Sequence, residues 1–155
     1  MSDTPPYGRP GILTDGPFAG WTTWGQGADP YETFVGPFCM RAEDGRVRCA
    51  FEPRPEHLNG GGAVHGGALM SFADFALFAI AHNDLAGQKA VTLTCNCEFL
   101  AAGDLGANIE AAGEVLRHTR SIIFVRGVIS QRGRVLLAFS GTLKKIADAP
   151  KGAGA

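Results

Sequence analysis

Ala68-Leu69-Met70-Ser71-Phe72-Ala73-Asp74-Phe75-Ala76-Leu77-Phe78-Ala79-Ile80-Ala81-His82 is the stretch on which the fold turns. It is rich in Ala, Leu, Phe and Met and has no β-branched residue before Ile80, which predicts a helix. Apolar side chains run almost all the way round, and such a helix is buried on most sides. Asp74 interrupts it two turns in. A carboxylate placed there loses hydration, which is unfavourable unless it is hydrogen-bonded or used. Desolvation raises the pKa of a carboxyl group. A carboxylate shielded from bulk water suits a general base or a nucleophile. The plainer alternatives are a carboxylate exposed at a gap in the packing, or one that caps a neighbouring backbone group.

Upstream, Gly60-Gly61-Gly62 and Gly66-Gly67 bracket Ala63-Val64-His65. Gly66 and Gly67 fall at the predicted start of the helix, where the first backbone N–H groups have no intrahelical partner. Those groups and the helix dipole favour an anion, and glycine lets a substrate carbonyl approach closely. The place suits stabilisation of an oxyanion. The glycines could equally serve only to shape the turn into the helix. Gly67 and Asp74 are seven residues apart, about 10 Å along one helix. One carbonyl does not easily meet both. Two helices packed antiparallel across a two-fold axis remove the difficulty, with Asp74 of one subunit facing Gly67 of the other. Ala68, Ala73 and Ala76 permit that approach.

Working outward, Val35 to Ala42 and Val47 to Phe51 flank Asp44-Gly45, a strong hairpin signal. Pro53 and Pro55 end the second strand. After the helix come four strand-like runs, roughly 90–99, 107–116, 121–130 and 135–146. In the first, Val91, Leu93, Cys95, Cys97 and Phe99 alternate with Thr92, Thr94, Asn96 and Glu98, which predicts one buried face. The order is β-β-α-β-β-β-β. The expected fold is α+β, an antiparallel curved sheet of about five to six strands around one long apolar central helix. Residues 1–20 are read as a flexible N-terminal segment, 21–147 as a single domain, and 148–155 as a disordered tail. The aromatic segment from Phe18 to Phe38 suits a short helix or a cap over the core.

The chain has 155 residues, 45% of them hydrophobic, enough for one domain with a real core. The formal net charge is −1, and no basic stripe supports nucleic-acid binding. The apolar stretch from Ala68 to Ala81 is 14 residues long, short of the roughly 20 that a membrane span needs. The N-terminus lacks the pattern of a signal peptide, so a cytoplasmic location is expected. Of the four cysteines, Cys95 and Cys97 are too close in sequence for the usual zinc pair and read as small apolar residues on one strand face. Arg117-His118-Thr119-Arg120 lies in a predicted turn, where arginine suits phosphate recognition. The same cluster also reads as a solvated hairpin tip.

The run Asn59-x₅-His65-Gly66-Gly67-x₆-Asp74 resembles the active-site segment of hotdog-fold acyl-CoA thioesterases, most of all the PaaI-type, phenylacetate-pathway branch. The resemblance extends from about Phe34 to Ile146. It implies that Gly67 N–H binds the thioester carbonyl and that Asp74 activates water or attacks directly. Asn59 would orient the water or the carboxylate, and Thr92 would assist the water. His65 would orient the loop. Gly66 and the Arg117, His118, Thr119, Arg120 turn would bind substrate, the turn taking the nucleotide part of CoA. The implied partners are an acyl-CoA substrate and further copies of the chain, a dimer at least and a tetramer by resemblance, with no metal or redox cofactor. A hotdog hydratase or dehydratase, a non-catalytic acyl-CoA binding module and an assembly scaffold are the alternatives.

Overall fold

In the computed structural model, which describes residues 9–147, the chain runs β1 (Gly11–Ile12), β2 (Thr22–Thr23), α1 (Pro30–Val35), β3 (Cys39–Glu43) and β4 (Arg46–Phe51). A 3₁₀ turn (Pro55–His57) leads to α2 (Gly66–Ile80) and α3 (His82–Leu85). Then follow β5 (Ala90–Phe99), β6 (Ile109–His118), β7 (Ile122–Gln131) and β8 (Arg134–Lys145). The predicted tail 148–155 lies outside the described residues, as do residues 1–8.

All the strands join one antiparallel sheet in the order β1-β2-β3-β4-β6-β7-β8-β5. The sheet therefore has eight strands, not five to six. The two extra strands, β1 and β2, have two residues each, too few for alternation to register. The β3–β4 hairpin turns at Asp44 and Gly45, with φ of 49° and 75°, and the β7–β8 hairpin at Arg132 and Gly133, with φ of 51° and 76°. Two consecutive positive φ values match the twist of the flanking strands, and Asp-Gly accepts them at little strain. The aromatic segment does contain a short helix. Asp29 caps α1 by accepting the Glu32 N–H at 3.0 Å, and Pro30 fills its first position.

The sheet curls round α2. Leu69, Phe72, Ala73, Ala76 and Leu77 are buried against it. Phe72 stacks its edge on Phe51 with ring centroids 4.8 Å apart and meets Phe38 at 5.2 Å. Burial of each such side chain stabilises the fold by about 1.5–3 kcal/mol. One stripe of the helix stays uncovered. Gly67 and Met70 are exposed, and Ser71, Asp74 and Phe78 are half-buried. Their spacing of three and four residues puts them on one face. The prediction of a helix buried on most sides thus holds for the sheet-facing sides of the single chain but not for this stripe. No helix among the described residues is long and apolar enough to cross a membrane.

Strand β5, at the edge of the sheet, departs from strict alternation. Its pairing with β8 shifts between Thr92 and Thr94, the mark of a bulge, in which one extra residue flips the faces of the strand. Before the shift Thr92 turns inward, while Val91 and Leu93 are 43% and 52% exposed. Beyond it Cys95 and Cys97 turn inward. The expectation that Val91 and Leu93 share a buried face with the cysteines is corrected by this one-residue irregularity.

Candidate active site

Asp74 sits on the uncovered stripe of α2, half-buried rather than enclosed. The Thr92 hydroxyl donates to its Oδ1 at 2.6 Å. This contact depends on the bulge, since an uninterrupted strand that buried Cys95 and Cys97 would turn Thr92 outward. The thiol of Cys95 is pushed up to about 12, first by burial and then by Cys97, with the charge of Asp74 a smaller cause. A protonated thiol of that kind is a neighbour of the carboxylate, not a nucleophile.

The amino end of α2 is built by the preceding loop. His65 is the N-cap, and its Nδ1 accepts the Gly67 N–H at 2.8 Å. The N–H expected to face a ligand is therefore held by the imidazole in the single chain. A Cβ on Gly67 would come within 3.0 Å of that same Nδ1, and a Cβ on Gly66 within 3.1 Å of the Phe99 ring. Both positions thus need glycine for close packing. The Asn59 side-chain oxygen accepts from Gly61 N–H (2.9 Å) and Ala63 N–H (3.2 Å), which folds the glycine loop back on itself. Val64 N–H and His65 N–H bond to Gly103 and His57 carbonyls at 2.9 and 2.7 Å, fastening the loop to the body of the protein. Asn59, His65 and Gly67 gather at this end, and Asp74 with Thr92 lies two turns along the helix, about 10 Å by rise.

Three further residues at the site carry no sequence motif. The Ser71 hydroxyl donates to the Gly67 carbonyl at 2.9 Å, so the Tyr31 hydroxyl, 2.7 Å away, donates to Ser71. This lays α1 beside the stripe, one turn before Asp74. Next to Tyr31 is Glu32, whose carboxyl is pushed up to about 8 by burial first, then by the charges of Asp29 and Asp74. The Asp29-Pro30-x-Glu32 pattern is a helix-start signal that the sequence reading did not use. Nothing in it says that the helix docks beside Asp74.

The Arg117–Arg120 segment lies elsewhere. His118 belongs to β6 and stands between Asp84 (Nδ1, 3.2 Å) and Lys145 (Nε2, 2.7 Å). The Thr119 hydroxyl donates to the Ile122 carbonyl at 3.1 Å and accepts its N–H at 3.0 Å, closing the turn. Through Asp84 the cluster belongs to α3, at the carboxyl end of α2 and away from Gly66. His57 is buried and structural. Its Nδ1 accepts from Arg54 N–H at 2.9 Å, so Nε2 carries the proton and donates to the Val35 carbonyl at 2.6 Å. An open cleft of about 1010 Å³ lies between the β3–β4 hairpin and Ile80, Asn83 and Asp84, and Asp74 is not among its lining residues. Among the described residues no group of His, Cys, Asp and Glu could hold a metal ion.

Solved structures share the fold of this chain. The phenylacetic acid degradation protein PaaI from Thermus thermophilus, solved as a mutant, is 30% identical, with a TM-score of 0.65 over 76% of this chain and 100% of that one. PaaI of the phenylacetic acid degradation operon of E. coli is 26% identical, with a TM-score of 0.67 over 77% of this chain and 86% of that one. A Bacillus halodurans protein solved with CoA shares the fold at 24% identity, with a TM-score of 0.66 over 71% of this chain and 74% of that one. No curated protein matches the chain significantly. The model of the thioesterase superfamily matches residues 61–138, half of the 155-residue chain and all of α2. The chain belongs to the thioesterase superfamily and has its hotdog fold.

Proposed function

We propose that the protein hydrolyses an acyl-CoA thioester to the free acid and CoA, as a two-fold dimer with two equivalent sites. The observation that carries this reading is the Thr92–Asp74 hydrogen bond on the one open stripe of an otherwise buried helix. Asp74 is the general base. Thr92 occupies Oδ1 and orients the carboxylate, leaving Oδ2 to take the proton of the attacking water. Asn59 helps to place that water. Gly67 of the facing subunit gives its N–H to the thioester carbonyl, which replaces His65 Nδ1 as acceptor, and Gly66 lets the substrate come close. His65 holds the loop ready until substrate enters.

Two features support the dimer. The stripe and the β5 edge carry exposed apolar side chains, Met70 (43%), Leu93 (52%) and Phe99 (52%) among them. An uncovered edge strand with such a face is a pairing surface. In an antiparallel pair, the carboxyl end of one α2, with its Arg117, His118, Thr119 and Arg120 turn, comes beside the glycine end of the other. There it serves the phosphates of CoA. The likeness to the two phenylacetic acid degradation proteins supports an aryl acyl group, against which Tyr31 and Phe34 of α1 can pack; a small or medium-chain acyl group is the alternative. A CoA thioester as substrate fits a cytoplasmic location.

The reading is tested by incubating purified protein with aliphatic and aryl acyl-CoAs while released thiol is followed. Turnover of at least one, lost in Asp74→Asn, is the expected result. Binding of acyl-CoA without thiol release, unchanged by Asp74→Asn, would overturn it.

A further inference from the structure

Glu32 Oε2 is a buried carboxyl oxygen with no hydrogen-bond partner. Such atoms are rare and call for an explanation. The backbone of the residue is fully engaged. Its N–H goes to Asp29 Oδ1 at 3.0 Å and its carbonyl accepts from Gly36 N–H at 2.7 Å. Tyr31, its neighbour, is tied to Ser71 at 2.7 Å, and the Trp24 ring packs edge-on against Phe75 with centroids 5.9 Å apart. These contacts flank Asp74 on both sides and hold α1 and the segment before it against α2.

The charged groups around Glu32 come from three elements. Asp29 is on its own helix cap and Asp74 on α2, and both press the carboxyl to keep its proton. From the 3₁₀ turn, Arg54 and His57 reach α1 only at the Phe34 and Val35 carbonyls, at 3.5 and 2.6 Å. With burial as the main cause, the group is held up at about 8. At neutral pH it is a carboxylic acid, and among the described residues its Oε2 has no hydrogen-bond partner. A carboxyl group that keeps its proton near neutral pH is suited to act as an acid.

We propose that Glu32 is a second catalytic group of this site, the acid that gives its proton to the departing sulfur. The inference rests on the thioesterase reading above. Water adds to the thioester carbon as Asp74 takes one of its protons. The tetrahedral oxyanion then re-forms the carbonyl, and the C–S bond breaks with its electron pair going to sulfur. The Glu32 proton makes the new S–H bond. The proton held by Asp74 returns to Glu32 through solvent, so water and thioester become acid and thiol and both carboxyl groups are restored.

The test compares one acyl group carried on CoA and on an acidic aryl thiol, whose thiolate departs without a proton. Glu32→Gln is expected to lower kcat by about 10²-fold on the acyl-CoA and by less than about 3-fold on the aryl thioester. Asp74→Asn, run beside it, is expected to lose rate equally on both. An Asp74→Asn variant that keeps its rate would sink the base assignment alone. Equal losses on both thioesters for Glu32→Gln, or no loss, would sink the acid. The wild-type protein provides a check that needs no folded variant. Its rate on acyl-CoA should fall as pH rises through about 8, and its rate on the aryl thioester should not. The same alkaline fall on both would also overturn the proposal.

Discussion

Thr92 Oγ1 donates to Asp74 Oδ1 at 2.6 Å, from an edge strand to the central helix across 18 residues of sequence. The bond exists because the β5 bulge turns Thr92 inward without turning Cys95 outward. It fixes one carboxylate oxygen and so the direction of the other. Thr92→Val is expected to lower kcat by about 10-fold, in line with the loss of a hydrogen bond to a charged group. Thr92→Ser should stay within about 3-fold of wild type. Steady-state kinetics of the two variants check this, and equal activity in both would refute the orienting role.

Asp74→Asn preserves shape and removes the proposed base. Its kcat should drop by about 10²-fold or more. Asp74 is half-buried on an uncovered stripe, so its melting temperature should move by no more than about 3 °C. Calorimetry beside the kinetics separates lost chemistry from lost fold.

Glu32 makes stability depend on pH. Folded Glu32 keeps its proton up to about 8, whereas the ordinary value for the group is 4.5. Between those values the folded state binds more protons than the unfolded chain, so this group's contribution to stability falls as pH rises. Glutamine has no proton to release. Glu32→Gln should therefore melt like wild type near pH 4 and be more stable at about pH 8.5. The gain should be roughly 2 kcal/mol, discounted from full linkage for partial solvation. Denaturant melts at the two pH values decide it, and a variant less stable at the higher pH would contradict the assignment.

The proposed composite site makes a subunit-mixing prediction. Asp74→Asn and Gly67→Val, each inactive alone, should regain activity when co-refolded. A mixed dimer then has one site with both residues intact and one with both altered, so the mixture should approach about a quarter of wild-type activity. Leu93→Arg, on the exposed β5 edge, should give monomer by sedimentation and lose turnover. Activity in a monomer, or no recovery on mixing, would reject the shared site.

The Asp44-Gly45 turn, the helix from Gly66 and the four long strands were legible because each is a local pattern, a turn dipeptide or a period. β5 matched its expected ends, β6 was displaced by two residues, and β3 starts at Cys39 rather than Val35, which ends α1, since a ladder ends where its partner ends rather than where composition changes. β1 and β2 were not legible, having no period to show. Gly67 and Asp74 could be named from their places on the helix, and Asn59, His65 and Thr92 from the family resemblance, but the partners of those side chains could not. His65 capping Gly67, and Tyr31 reaching Ser71 forty residues away, depend on how the loop and α1 settle on the finished core.

By itself, then, the sequence determined one apolar helix carrying a single carboxylate, a glycine turn before it, and strands enough to wrap it. Those follow from hydrophobic period and backbone preference, which act over a few residues. Only the tertiary structure decided which stripe of that helix stays open, that a one-residue bulge delivers Thr92 to Asp74, and that a second carboxyl, Glu32, has an enclosed oxygen on the helix docked against the segment of Asp74. Burial and hydrogen bonding between distant segments are properties of the packed chain, and no local pattern encodes them.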